Sequence, residues 1–148
     1  MKYYLLDTNI LLLQICLHEK WFEIEKLYEF KNPSTRLLIS VVTLGEIISI
    51  SKQNNWGERK MKELNKLIDN FLIVGINKKD VIEAYANIDT FSQGKSKQHK
   101  TKFSSKNMGK NDLWIAATTN VSSATLLTMD KDFVHLKDIY CKIDLIRL

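Results

Sequence analysis

The 148-residue chain is poor in the residues that staple or punctuate a fold: it has two cysteines, one proline and five glycines. Cys16 and Cys141 stand near opposite ends, without C-x-x-C spacing and without a histidine cluster beside them. That argues against a zinc site and against a disulfide-rich scaffold. The sequence leaves one bridge between them open, but it favours two small buried apolar side chains in a reducing compartment. Neither GxxxxGKS/T nor GxGxxG occurs, so nucleotide-dependent chemistry has no support. No apolar run approaches the roughly 18 residues of a membrane helix; the longest, Ile10 to Leu17, is broken by Gln14. Asp7 cuts the first apolar stretch after four residues. The N-terminus is therefore not expected to be a signal peptide, and a cytoplasmic protein without a membrane is expected.

What is present is an ordinary globular composition, 45% hydrophobic and 26% charged, which excludes wholesale disorder. The length suits one domain, residues 1–148, able to bury about 68–70% of its unfolded surface. The net charge of +5 comes from 22 basic and 17 acidic residues. Six lysines (Lys95, Lys97, Lys100, Lys102, Lys106 and Lys110) fall between Gly94 and Lys110 with no acid among them. Without these six, 16 basic residues face 17 acidic ones, and the rest of the chain carries −1. All the excess positive charge therefore belongs to one short segment. It has no periodicity and is expected to be a loop.

Elsewhere short apolar runs alternate with longer amphipathic ones. Lys2–Leu6 reads as a buried strand ending at Asp7. Ile10–Phe30 has apolar residues at helical spacing, with Trp21, Ile24, Leu27 and Tyr28 as one stripe, and Asn32-Pro33-Ser34 ends it. Leu37–Val42 is a continuous apolar run of the kind a parallel strand requires. Helices are expected over Thr43–Lys52, Gly57–Phe71, Lys79–Phe91 and Asp112–Val121, the second with Met61, Leu64, Leu67 and Ile68 on one face. Phe71–Ile76 and Ala124–Thr128 read as strands, Asp132–Leu136 as a short helix and Ile139–Leu145 as an edge strand. Strands separated by helices imply βαβ units and an α/β fold with a mostly parallel sheet.

In such sheets ligands gather at the carboxyl ends of the strands, and carboxylates fall there. Asp7 follows the first strand and Glu46 lies one turn into the helix after the second. Asp112 opens the helix after the lysine segment, and Asp130 follows the fourth strand, with Asp132 two residues on. Each has a structural reading by itself. Asp7-Thr8-Asn9 fits an Asx turn capping a helix. Thr43-Leu44-Gly45-Glu46 fits a capping box, Asn111-Asp112 an N-cap with a first-turn acid, and Asp130-Lys131-Asp132 a polar turn. Converging in one cleft, these carboxylates would repel and raise each other's pKa. A hard divalent cation, Mg²⁺ or Mn²⁺, held by oxygen ligands accounts for such a cluster most simply. The two readings are compatible, because a helix N-terminus positions a carboxylate.

The segments that carry these acids resemble the motifs of the PIN-domain ribonucleases. They are Leu5-Leu6-Asp7-Thr8-Asn9-Ile10-Leu11, Ser40-Val41-Val42-Thr43-Leu44-Gly45-Glu46-Ile47, Asn111-Asp112-Leu113-Trp114-Ile115-Ala116-Ala117 and Leu126-Leu127-Thr128-Met129-Asp130-Lys131-Asp132-Phe133, in the family's order. Within that family the chain is similar to the VapC-type toxins of toxin–antitoxin pairs. The resemblance implies a three-layer α/β/α domain with about five strands and a metal-dependent endoribonuclease leaving 5′-phosphate and 3′-hydroxyl ends. It implies that Asp7, Glu46, Asp112 and Asp130 are catalytic through one or two bound Mg²⁺ or Mn²⁺ ions, with Asp132 a further ligand candidate. Asn9 and Thr128 are implied to orient the carboxylates, and a metal-activated water to attack the phosphodiester. RNA is the implied substrate; a cognate antitoxin and a second copy of the chain are the implied partners. The stripes at Trp21–Tyr28 and Met61–Ile68 offer surfaces for them, although most of their residues are expected in the core. None of His18, His99 and His135 sits in a motif, and His18 and His135 are expected at the surface.

One departure concerns length. Glu46 and Asp112 stand 66 positions apart, more than small members of the family carry, and residues 94–110 read as an inserted loop. A run of charge usually stays solvated. The functional alternative is that the six lysines contact RNA phosphates beside the cleft, with Phe103 and His99 stacking on bases. Two further classes compete. A catalytically silent RNA-binding or regulatory module would use the lysines alone, but the acids are all intact. A phosphoryl-transfer domain with an aspartyl nucleophile at Asp7 wants a second acid where Asn9 stands.

Overall fold

The computed structural model describes residues 1–148. Five strands, β1 (Lys2–Leu6), β2 (Thr35–Ser40), β3 (Leu72–Val74), β4 (Thr125–Thr128) and β5 (Lys142–Leu145), form one sheet in the order β3-β2-β1-β4-β5. Every pairing is parallel. Leu5 sits opposite Leu38 of β2 and Leu126 of β4. Consecutive residues of a strand point to opposite faces. Leu5, Leu38, Leu126 and Ile143 thus build one core, and Leu6, Ile39, Leu127 and Ile146 the other. This is why the strands read as unbroken apolar runs rather than alternating ones.

The helices α1 (Thr8–Ile15), α2 (Glu19–Leu27), α3 (Val41–Gln53) and α4 (Glu58–Asn70) supply the second core. The first is covered by α5 (Lys79–Ser92), α6 (Lys110–Ser122) and a 3₁₀ helix (Lys131–Leu136). The result is the three-layer α/β/α arrangement. The chain moves outward from β1 through β2 to β3, then returns to the other side of β1 for β4 and β5. Strand order therefore reverses between β1 and β4, and the crevice at their carboxyl ends is where such sheets take ligands.

Several expectations need correcting. The stretch Ile10–Phe30 is two helices, not one. Leu17 adopts φ 53; its N–H donates to the Gln14 carbonyl at 3.0 Å and the His18 N–H to the Leu13 carbonyl at 2.9 Å. That is a Schellman ending with leucine where glycine is usual. His18 then caps α2, its Nδ1 accepting from the Lys20 N–H at 3.0 Å. Strand β2 starts and ends two residues earlier than read from the sequence, because Ser40 caps α3 by accepting the Val42 N–H at 3.1 Å. Thr43 thus lies inside α3, and no Thr43–Glu46 capping box forms. β5 is shorter than the apolar run from Ile139 suggests, since Asp138, at φ 63, turns the chain back on itself there. Cys141 is buried but Cys16 is exposed, at the end of α1, and both thiols are free.

Of the two helical stripes, Trp21, Ile24, Leu64 and Leu67 are core residues. Phe22 and Leu27 of α2 remain 52% and 73% exposed. No helix is long and apolar enough to cross a membrane.

Candidate metal centre

β1 delivers Asp7 to the N-cap of α1. The side chain is only 5% exposed, and both its oxygens are used. Oδ1 accepts from the Thr8 N–H at 2.8 Å, and Oδ2 from the Thr128 hydroxyl at 2.6 Å. Thr128 ends β4 and is wholly buried; its Oγ1 in turn accepts the Asp130 N–H at 3.0 Å. Asp130 caps the 3₁₀ helix by accepting the Asp132 N–H at 2.8 Å on Oδ1. One hydrogen-bond relay thus runs from the end of β1 through the end of β4 to Asp132.

Asp112 joins from the first turn of α6, whose cap, Gly109, offers no side chain. Carboxylate oxygens of Asp112, Asp130 and Asp132 lie within 4.8 Å of one another. Glu46 projects from the second turn of α3 and is half-buried. It borders a groove of about 510 Å³ that runs along α3 past Ser49, Ile50 and Gln53 to Asn111.

The acids act on one another's charge. Burial, followed by the negative charges of Asp7, Asp130, Glu46 and Asp132, pushes Asp112 up to about 6. Burial also raises Asp7, with Asp130 adding repulsion, while the hydrogen bonds from Thr128 and Thr8 hold it down. Glu46 is raised by burial and then by Asp7, and the nearby Thr8 hydroxyl tempers the rise. That hydroxyl does not complete a hydrogen bond: Thr8 Oγ1 and Thr43 Oγ1 are both buried without a partner. Buried polar atoms of this kind are rare and call for an explanation. The donor set is all oxygen, crowded with negative charge, and has the unpartnered Thr8 hydroxyl beside Glu46. It fits a hard divalent ion such as Mg²⁺ or Mn²⁺ and not one that prefers nitrogen or sulfur.

The structure thus gathers Asp112, Asp130 and Asp132, ties Asp7 to Asp130 through Thr128, and sets Glu46 close enough for its charge to act on Asp112 and for Asp7 to act on it. Asn9 does not join them; it is exposed on α1 and hydrogen-bonds none of the acids. The six lysines are exposed, on or next to the connection between α5 and α6. Phe103 and His99 both have ring partners within the protein. Phe103 packs edge-on against Phe91 and His135, and His99 edge-on against Phe91 and Tyr140. His135 is partly buried, contrary to expectation, because its ring stacks on Phe91. The sequence reading overlooked Thr8, whose hydroxyl looks like that of an ordinary helix-start residue until its burial beside Glu46 is known.

A family model described as PIN domain matches residues 4–139. The chain belongs to the PIN-domain family. All the acid-bearing segments fall inside the matched region, and the family is divalent-metal dependent. No curated protein sequence matches the chain. Among solved structures, this PIN domain is similar to a chain of VapBC2 from Rickettsia felis bound to a DNA fragment from its promoter. The TM-score is 0.77 at 20% identity, covering 97% of this chain and 98% of that one. For VapBC-1 from nontypeable Haemophilus influenzae the values are 0.71, 21%, 97% and 97%. For DNA-bound VapBC from Salmonella typhimurium they are 0.72, 18%, 97% and 98%. At such identities the likeness is one of fold.

Proposed function

We propose that the protein is a Mg²⁺- or Mn²⁺-dependent endoribonuclease that hydrolyses RNA phosphodiester bonds, and that it acts as a VapC-like toxin restrained by a cognate antitoxin. The observation that supports the nuclease reading is the gathering of the Asp112, Asp130 and Asp132 oxygens within 4.8 Å of one another at the carboxyl edge of the sheet, beside Asp7 and Glu46, whose charges add to the burial that raises Asp112. The toxin reading is supported by the fold likeness to chains solved within VapBC complexes, one of them a member of the VapBC family of toxin–antitoxin systems from Mycobacterium tuberculosis. An exposed α2 face at Phe22 and Leu27 is available to an antitoxin or to a second copy in a homodimer.

Asp7, Glu46, Asp112, Asp130 and Asp132 hold the ion in this reading. A divalent ion held there would supply Lewis acidity, lowering the pKa of an attacking water and offsetting charge on the leaving oxygen. Thr128 keeps Asp7 Oδ2 and the Asp130 backbone in fixed relation through its two hydrogen bonds, as an orienting partner of metal ligands should. Asp112 must give up its proton to bind. The exposed lysines attract the RNA backbone, offsetting the repulsion that the acids alone would exert.

RNA cleavage assayed with Mn²⁺, with EDTA, and with Asp7→Asn tests this. Chelation is expected to abolish cleavage and Asp7→Asn to lower it by roughly a hundredfold or more, since loss of an orienting partner alone costs about 10–100-fold. Metal-independent cleavage, or full activity in the variant, removes the nuclease reading. RNA binding without any cleavage favours a silent module. Growth arrest on induced expression, absent for Asp7→Asn, separates a toxin from a housekeeping nuclease.

A further inference from the structure

The lysine-bearing connection between α5 and α6 is closed on itself, and Ser92 is where it closes. Ser92 ends α5 and is 0% exposed. Its carbonyl accepts the Lys106 N–H at 2.7 Å. Its Oγ lies 3.3 Å from Met108 Sδ and 2.8 Å from His135 Nε2. A hydroxyl carries one proton. If that proton goes to Met108, the ring's Nε2–H donates to Oγ.

Aromatic contacts surround this pair. Phe91 and His135 lie parallel, 3° apart in plane with centroids at 6.3 Å. Phe103 stands edge-on to both, at 5.5 and 5.2 Å. Gly94, at φ 73, makes the turn that lets the Lys95 N–H reach the Thr90 carbonyl at 2.9 Å. A hydroxyl bonded to an imidazole also resembles an activated nucleophile, but here Met108 covers a fully buried Ser92, so no substrate reaches Oγ.

His135 belongs to the 3₁₀ helix that Asp130 caps and whose first turn holds Asp132. One short element therefore carries two of the acids and the anchor of the strap. At the strap's far end Gly109 passes beside Asp112: a Cβ there would stand 3.6 Å from Oδ2. None of the six strap lysines lies within 4.0 Å of a carboxylate, so no ion pair absorbs their charge. Only Lys106 is near a ring, its Nζ 6.0 Å over Phe103.

Resting on the ribonuclease reading above, we propose that the Ser92–His135 contact latches the lysine strap beside the acid cleft. Ser92 and His135 are then positioning residues for the RNA backbone. Ordering the strap during folding removes that cost from RNA binding, so the latch acts on KM and not on kcat.

The test uses His135→Phe, which keeps the ring stack and removes Nε2, Ser92→Ala, which removes Oγ, and His135→Gln, which returns a hydrogen-bonding group. The probe is a single-stranded RNA cleaved by the wild type. Either of the first two variants is expected to raise KM about five- to tenfold, as loss of one hydrogen bond would, and to lower exchange protection at the Lys106 amide, whose acceptor, the Ser92 carbonyl, then sits on a helix end no longer tied to His135. Their kcat should stay within about twofold and His135→Gln should recover KM. The double variant Ser92→Ala/His135→Phe should be no worse than either single one, because both remove the same contact.

Unchanged KM in a protein whose wild type cleaves overturns the latch, as does undiminished protection at Lys106. Loss of kcat together with loss of Mn²⁺ binding overturns it in another way, by showing that the contact supports the acid site instead. If the wild type neither binds nor cleaves RNA, the ribonuclease reading falls and the latch goes with it, even with Lys106 protection lost as expected.

Discussion

Two oppositely charged regions meet at one edge of this domain, and they are built by different means. The acid edge is placed by backbone: Asp7 and Asp130 follow adjacent parallel strands, and Glu46 and Asp112 sit in the first two turns of α3 and α6. The lysine strap is placed by side chains distant in sequence, with Phe91, Ser92, Phe103, Met108 and His135 holding it. In the first region the charges crowd and raise one another's pKa. In the second they stand exposed and unpaired. A cluster that repels itself needs a cation, and an unpaired cationic strap needs an anion. On the proposed reading, RNA with a divalent ion would supply both.

Replacing all six strap lysines with serine strikes at this contrast hardest. If each lysine contacts a phosphate of a single strand, RNA affinity in the wild type should fall on the order of a hundredfold between 50 and 200 mM salt. The variant should show a much shallower slope while Mn²⁺ binding stays unchanged. Equal slopes would reduce the strap to a solvated loop. On the acid side, Thr128→Val removes the hydroxyl that serves both Asp7 Oδ2 and the Asp130 N–H. It should lower metal affinity or cleavage by about 10–100-fold, read by Mn²⁺ titration, and leave the salt slope alone.

Acidity separates the regions further. Asp112 is raised from the 3.8 of an ordinary carboxyl to about 6. Folding thus favours its protonated form. Without a cation, the stability this group contributes is present below its unfolded value and is lost as pH rises through about 6. Asp7 and Glu46 shift the same way. Cation binding needs the carboxylates, so Mn²⁺ affinity should climb as pH rises through about 6 and level off above it. A Mn²⁺ affinity independent of pH there would contradict the coupling. The smallest effect is Gly94→Ala. Its left-handed φ of 73 should cost about 1 kcal/mol in chemical denaturation, with cleavage chemistry intact.

How much could be read from the sequence follows the same division. The parallel sheet and the five acids were legible because strand periodicity and chain order determine which residues reach the carboxyl edge. Thr128 was legible as the partner of its own motif's acids. Helix endings were not, because the left-handed residues that stop α1, α2 and α3 are Leu17, Glu29 and Asn55, and only Gly94 announces itself. Nor was the latch: Ser92 and His135 are 43 residues apart, and neither carries a local signal. Asn9, by contrast, sits in a motif yet lies exposed on α1 and makes no hydrogen bond to the acids.

The central claim is that the five carboxylates form one divalent-cation site. Thermal unfolding against Mn²⁺ concentration at neutral pH, for the wild type and Asp112→Asn, tests it most directly. The wild type should unfold at steadily higher temperature as Mn²⁺ rises past its dissociation constant, and the variant should respond weakly or not at all. A wild type indifferent to Mn²⁺, or a variant shifted equally, would contradict the account.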